Sequence, residues 1–183
     1  MNATAHTQDL ALPLQPFAIA TSRVNEWRGR CLDSFTRAEA AVTECLIALA
    51  EVEGKGQQVR LPHLVGQRLD ALTQAVAAGG PFEAEGTGAS LALERFRVHD
   101  SFRNMLCHGV GKVTLDPQGT WTLVLRLAAL RSRRLSRDTL ALTEAEAEQL
   151  QAEVGRASKG LCSRLGQVRA HAAERSKQCA AAP

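Results

Sequence analysis

The feature that most constrains the fold is a long apolar stripe between residues 24 and 52. Apolar residues recur there at spacings of three and four, namely Val24, Trp27, Cys31, Phe35, Ala38, Val42, Cys45, Leu49 and Val52. This period places all of them on one face of an α-helix, and such a face must be covered by other elements. The pattern predicts one long helix from about residues 16–22 to Val52, ended by Gly54 and Gly56.

A second stripe of the same kind runs through the last forty residues. Its members are Ala147, Leu150, Val154, Ala157, Leu161, Leu165, Val168 and Ala172. Just before it, Thr143-x-x-Glu146 forms a capping box, in which each side chain can accept the free backbone N–H of the other residue. The sequence therefore predicts a long last helix that begins at Thr143 and covers the first one.

Two shorter helices are predicted between them. One spans Leu61 to Ala78, with Pro62 at its first position and Gly79-Gly80-Pro81 as its end. Residues 79–90 are rich in glycine and are expected to form a loop. The other helix is expected from about Ala89 to Cys107 and is closed by Gly109.

Residues 112–127 change period from helical to alternating. Val113 and Leu115, and then Trp121 and Leu123, alternate with polar neighbours around the turn sequence Asp116-Pro117-Gln118-Gly119. This pattern predicts a β-hairpin whose Trp121 and Leu123 pack either on the helical bundle or on a dimer partner. A basic connector is expected over 131–137 before the last helix.

These elements predict an all-α fold, a four-helix up-and-down bundle with one β-hairpin inserted at about residues 112–127. The expected domain covers residues 16–175, with a loose arm at 1–15 and a frayed tail at 176–183. A chain of 183 residues can bury a sizeable core as one domain.

Composition narrows the class of protein. No apolar run approaches the roughly 20 residues that span a bilayer, and the first residues do not resemble a secretory signal. The five cysteines are odd in number and contain no CxxC pair, which favours free thiols in a cytoplasmic protein over a zinc site or disulfides. The net charge of +3 permits an anionic partner without requiring one. We expect no membrane association, no metal and no cofactor.

The chemistry of the sequence is concentrated at the end of the third predicted helix, in HDSFRNMLCHG over residues 99–109. On a helical wheel the apolar residues form one stripe, consisting of Leu91, Val98, Phe102, Met105 and Leu106. The opposite face carries Arg97, Asp100, Arg103, Asn104, Cys107 and His108. Arg103 and His108 bracket this polar face, about 140° apart.

The segment RNMLCHG resembles the R-x4–6-H signature of the HEPN domain superfamily, in the form where Asn follows the Arg. The resemblance implies a bundle of four or five helices that dimerises and pairs its motif helices across a two-fold cleft. It further implies either a metal-independent endoribonuclease of the toxin–antitoxin or phage-defence type, or a binding module that has lost catalysis. Val110 and Gly111 stand where related toxins carry a Tyr after the motif His, so regulation by modification of that Tyr is not expected.

The resemblance assigns catalytic roles to Arg103, Asn104 and His108. RNA cleavage by its own 2′-OH needs proton transfer, which His108 can provide near neutral pH, and a cation beside the phosphate, which Arg103 provides. Asn104 would orient the phosphate or the His, and Asp100 would support Arg103 at the i+3 position. Further contacts to RNA are expected from the arginines around the site, namely Arg97, Arg131, Arg133 and Arg134.

The same residues have simpler interpretations. His108 is a favourable cation at a helix C-terminus, Arg103 can pair with Asp100 on a solvated face, and Cys107 can be a small packed residue. A second match to the motif spacing, Arg164 to His171, lacks both the Asn and the Gly and is discarded. Three hypotheses stay open: a nuclease working as a homodimer, a silent HEPN module that binds RNA, a nucleotide, an antitoxin or another protein partner, and a structural bundle with no site.

Overall fold

The computed structural model describes residues 15–131 and 134–180, and this part of the chain is mostly α-helical. In chain order its helices are α1 Gln15–Ala50, α2 Val65–Val76, α3 Glu83–Arg97, α4 Asp100–His108 and α5 Glu144–Ala180. A 3₁₀ turn spans Gly56–Gln58. The strands are β1 Val110–Leu115, β2 Trp121–Arg131 and β3 Arg134–Thr143. None of the helices in the described ranges is both long and apolar enough to cross a membrane.

The two predicted apolar stripes form the centre of the core, where α1 packs against α5 and α3 packs against α5. All nine residues of the first stripe are buried, and Val154, Leu161 and Leu165 of the second are fully buried. Each large apolar side chain removed from water contributes about 1.5–3 kcal/mol. Ser158 is the one buried polar side chain among the described residues, and its hydroxyl donates a hydrogen bond to the Ser34 carbonyl at 2.7 Å. The prediction of two long facing helices is confirmed.

The capping box at the start of α5 is also confirmed. The Thr143 backbone N–H and hydroxyl both donate to Glu146 Oε2 at 2.8 Å, and the Glu146 N–H donates back to Thr143 Oγ1 at 3.4 Å. These bonds lower the pKa of the Glu146 carboxyl below its ordinary value. Helix α5 continues to Ala180, so residues 176–180 of the expected frayed tail have a helical backbone. Residues 181–183 and most of the expected arm, 1–14, lie outside the described residues.

The bounds of the middle helices differ from the prediction. Helix α2 begins at Val65, so Pro62 precedes it, and the expected loop at 79–90 is already helix from Glu83 onward. The glycine at position 86 of this helical segment is explained by close packing, because a Cβ built on Gly86 would lie 2.4 Å from Cβ of Val76 on α2. Glycine lowers helix propensity, but here it allows α2 and α3 to approach closely.

The predicted third helix is in fact two helices. Helix α3 ends at Arg97, Val98 keeps right-handed helical dihedral angles, and His99 departs to a φ of −94° and a ψ of 3° before α4 starts at Asp100. This break changes the helical phase, so the single stripe predicted from Leu91 to Leu106 does not exist. Leu91 and Val98 are 49% and 74% exposed, while Phe102, Met105 and Leu106 are buried.

The predicted hairpin is confirmed as β1 paired with β2, and β3 extends it to a three-stranded antiparallel sheet in the order β1-β2-β3. The turn forms as expected, with Gly119 at a φ of +83° and Asp116 Oδ1 accepting the N–H groups of Gln118 and Thr120. The basic connector is wrong for residues 134–137, which belong to β3. Apolar alternation in β3 is confined to its second half, at Leu140 and Leu142, which is why its first half does not look like a strand.

Trp121 and Leu123 are only 2% and 1% exposed, so the first of the two predicted arrangements, packing on the helices, is confirmed. The ring of Trp121 lies 6.2 Å from that of Trp27 on α1. The sheet therefore covers the end of the core where α1, α4 and the start of α5 meet.

Candidate functional site

The motif helix α4 is held on the core by its apolar side. The Phe102 ring lies 6.0 Å from Trp27 and 6.2 Å from Phe35, both on α1. The opposite side of α4 consequently faces out, and Asn104, Cys107 and His108 are all exposed. The expectation that Cys107 is a packed residue is wrong.

Arg103 is anchored by a residue that sequence reasoning missed. Its Nε donates to Glu39 Oε1 of α1 at 3.0 Å, and the two side chains are 29% and 18% exposed. Arg103 and Asp100 form neither an ion pair nor a hydrogen bond with each other, although the charge of Arg103 acts to lower the pKa of the Asp100 carboxyl, so the direct partner of Arg103 is Glu39 rather than the predicted Asp100. The reason is that Glu39 approaches from a neighbouring helix, at a sequence distance that no local spacing reveals.

Asp100 instead belongs to a separate chain of charges. Its carboxylate lies 3.5 Å from Nε of Arg97, and Nη1 of Arg97 lies 2.8 Å from the carboxylate of Asp70 on α2. Burial raises the pKa of Asp100 above its ordinary value, and the Arg97 guanidinium partly offsets that rise. Arg97, predicted to contact RNA, is therefore engaged by two carboxylates.

A small cavity of about 130 Å³ brings three of the predicted residues together. Asp100, Arg103 and Asn104 line it, together with Glu39 and the apolar side chains of α1, α2 and α3 that form its floor. The volume is sufficient for a few water molecules or one small polar group. The guanidinium and the carboxamide can donate to such a group, whereas the two carboxylates favour a cation or a hydrogen-bond donor.

His108 lies apart from this cavity, on the last turn of α4. The last turn is fixed by Arg28 of α1, whose Nη2 donates to the Leu106 carbonyl at 2.7 Å. A cation at this position satisfies a free carbonyl at the negative end of the helix dipole. Arg28 and Glu39 lie three turns apart on α1, and together they set the position of α4.

The backbone places two further predicted RNA contacts, Arg131 and Arg134, at the far end of β2 and at the start of β3. Arg131 of β2 is paired in register with Arg134 of β3. Along β2 this pair lies five residues beyond Arg126, which is paired with Val110 at the start of β1, just after α4. Five strand residues correspond to about 17 Å. Arg133 lies outside the described residues.

Potential metal ligands do not gather in the described ranges, where no group of three or more His, Cys, Asp or Glu side chains comes together. Comparison of the chain with models of protein families, with curated proteins and with solved structures gives no match.

Proposed function

We propose that this chain is a HEPN-type endoribonuclease that acts on RNA as a homodimer, without a metal. The observation that carries the proposal is the placement of Arg103 and Asn104 side by side on a small polar cavity, with His108 exposed at the end of the same helix. The five described helices support the four- or five-helix bundle that the resemblance implies. A cytoplasmic location belongs to the proposal and is supported by the free thiols.

The proposed chemistry divides between the two motif residues. His108 exchanges protons with the attacking 2′-OH or the leaving oxygen, because imidazole can do either near neutral pH. Arg103 stabilises the charge on the phosphate, and Glu39 holds it in position. Because Arg103 and His108 point about 140° apart on α4, we infer that each phosphate meets Arg103 of one copy and His108 of the other.

Purified protein should cut single-stranded RNA in excess EDTA and leave 2′,3′-cyclic phosphate ends. Either His108→Ala or Arg103→Ala should reduce the rate on the order of 10²-fold or more, without unfolding the protein. The matched control is His171→Ala, which removes an exposed histidine of the discarded motif match. Cleavage that survives both motif substitutions would refute the assignment.

Mixing the two inactive variants tests the composite site directly. A heterodimer of Arg103→Ala with His108→Ala retains one intact pair across the two-fold axis, so mixing should restore part of the activity. A protein that stays monomeric at micromolar concentration in light scattering, or no recovery on mixing, would contradict a site shared between copies.

The second candidate is a non-catalytic module that binds RNA through the same face. The ion pair of Arg103 with Glu39 favours this candidate over catalysis, because a guanidinium partly neutralised by a carboxylate stabilises the charge of a reacting phosphate less strongly, while the exposed Asn104 and His108 can still contact RNA. In that case wild-type protein binds RNA without cutting it, and Glu39→Gln tightens binding by freeing Arg103. An unchanged affinity in both Glu39→Gln and Arg103→Ala would exclude RNA binding at this face.

A further inference from the structure

A groove of about 600 Å³ lies between α3 and α5, and it shares no residue with the cavity at Arg103. Its volume is within the range of sites for small organic ligands, about 300–1,000 Å³. The proposed function makes no use of this groove. It was not predicted from the sequence, because the predicted single helix buried Leu91 and Val98.

The two walls of the groove run antiparallel. At one end, a Cβ built on Gly88 of α3 would lie 3.4 Å from Cδ of Arg164 on α5. At the other end, the charge of Glu153 on α5 acts on His99, just beyond α3. Between these ends the helical spacing sets Arg95 of α3 level with Arg156 of α5.

The part of the groove next to this arginine pair is apolar and wide. Leu91 and Ala92 line it from α3, and Ala157 and Gly160 line it from α5. Leu91 is 49% exposed, and a Cβ built on Gly160 would meet no atom within 4 Å. The apolar wall is therefore open to a ligand rather than filled by the chain.

Two cations of the groove have no partner. Among the described residues, neither Arg95 nor Arg156 forms an ion pair or a side-chain hydrogen bond, whereas Arg164 donates to Gln167 at 3.1 Å. The lining also contains one carboxylate, Glu153, which accepts a hydrogen bond from Gln149 at 2.9 Å. The three arginines of the lining outnumber its one carboxylate, so the groove carries an excess of positive charge.

We propose that this groove binds an anionic amphiphile, a small molecule whose carboxylate or phosphate head lies between Arg95 and Arg156 and whose apolar body lies on Leu91, Ala92 and Gly160. Arginine holds such oxyanions through charge-assisted hydrogen bonds, and the open apolar wall gains from being covered. The exposed large apolar side chains that line the groove are Leu91 and Val98, which is little for a stable protein interface of about 800 Å² per partner.

The first experiment uses the wild-type protein and three probes. Acetate has only the anionic head, decanol has only the apolar body, and decanoate has both. Binding is followed by displacement of the fluorescent dye anilinonaphthalene sulfonate, which itself joins an anion to an apolar ring system. Decanoate should displace the dye at least about tenfold more effectively than decanol, and acetate should not displace it. Equal potency of decanoate and decanol, or no displacement by decanoate, would overturn the proposal.

Matched substitutions then locate the site. Gly160→Leu should fill the groove and abolish displacement by decanoate, while Gly155→Leu, on the same helix and equally free of clashes but outside the groove, should leave it unchanged. Arg156→Gln should weaken decanoate at least about tenfold and bring it close to decanol, whereas the exposed Arg137→Gln should not. Thermal unfolding of each variant verifies the fold. Unchanged decanoate binding in folded Gly160→Leu would place the ligand elsewhere and refute the assignment, whatever the outcome of the RNA assays.

Discussion

Trp27 offers the sharpest test of how the motif helix is held. Its side chain is 1% exposed, its Nε1–H donates to the Ala147 carbonyl at 2.7 Å, and its ring lies next to Phe102 and Trp121. One residue of α1 therefore joins α4, β2 and the start of α5. We expect Trp27→Ala to lower the free energy of unfolding by about 3–5 kcal/mol, through lost burial and the cavity left behind.

The expected shift in Tm follows from the size of the chain. An unfolding entropy of about 2.1 cal/mol/K per residue gives about 0.4 kcal/mol/K for 183 residues, so a loss of about 4 kcal/mol lowers Tm by about 10 °C. Trp27→Phe keeps an aromatic ring but removes the indole hydrogen bond, which contributes about 0.5–1.5 kcal/mol. It should therefore fall between wild type and Trp27→Ala.

The measurement is urea unfolding followed by circular dichroism, at one protein concentration because dimerisation would make the stability depend on it. Phe17→Ala is the matched control, since Phe17 is on the same helix but 46% exposed, and it should change stability by less than about 0.5 kcal/mol. A loss below about 1.5 kcal/mol for Trp27→Ala would refute the packing described for this end of the core.

Three further predictions concern other parts of the chain. Thr143→Ala should lower the free energy of unfolding by about 1 kcal/mol in urea melts, because it removes the cap of α5, and no change would contradict that role. Burial lowers the pKa of His99, so the unfolded chain binds its proton more tightly and stability falls as the pH drops through the ordinary range of histidine. His99→Gln should flatten this fall between about pH 7 and 5, and a curve as steep as that of wild type would refute it. In alkylation with iodoacetamide followed by mass spectrometry, exposed Cys107 should react before Cys31 and Cys45, because burial raises the pKa of these two thiols to about 12. Equally fast labelling of the buried pair would show that the native core opens.

Features with local signals could be predicted from the sequence. The stripes of α1 and α5, the Thr143 capping box and the turn at Gly119 each follow from spacing or from the conformational freedom of one residue type, and the structure confirms them. The burial of Trp27 and Trp121 also followed, because each lies on an apolar face.

Features set by contacts between distant residues could not be predicted. Glu39 is an ordinary polar residue on the flank of α1 until α4 brings Arg103 to it, and the same holds for Arg28 and the Leu106 carbonyl. The break after Arg97 lies between two segments that each favour a helix, so no breaker residue marks it. The sequence locates the candidate motif, but the partners of its side chains come from tertiary packing.

The separation of α4 from α3 has a consequence for the order in which the protein assembles. A helix of nine residues is shorter than the roughly 12–15 that an isolated helix needs in water, and the break prevents α4 from extending α3. Its structure therefore depends on Phe102 packing against Trp27. Trp27 in turn packs against Trp121 and donates its indole hydrogen bond to the Ala147 carbonyl. During synthesis the motif residues emerge before these last partners do. We therefore expect α4 to be less firmly held in a nascent chain that ends before β2, and the site to reach its final order once the C-terminal part of the chain has been made.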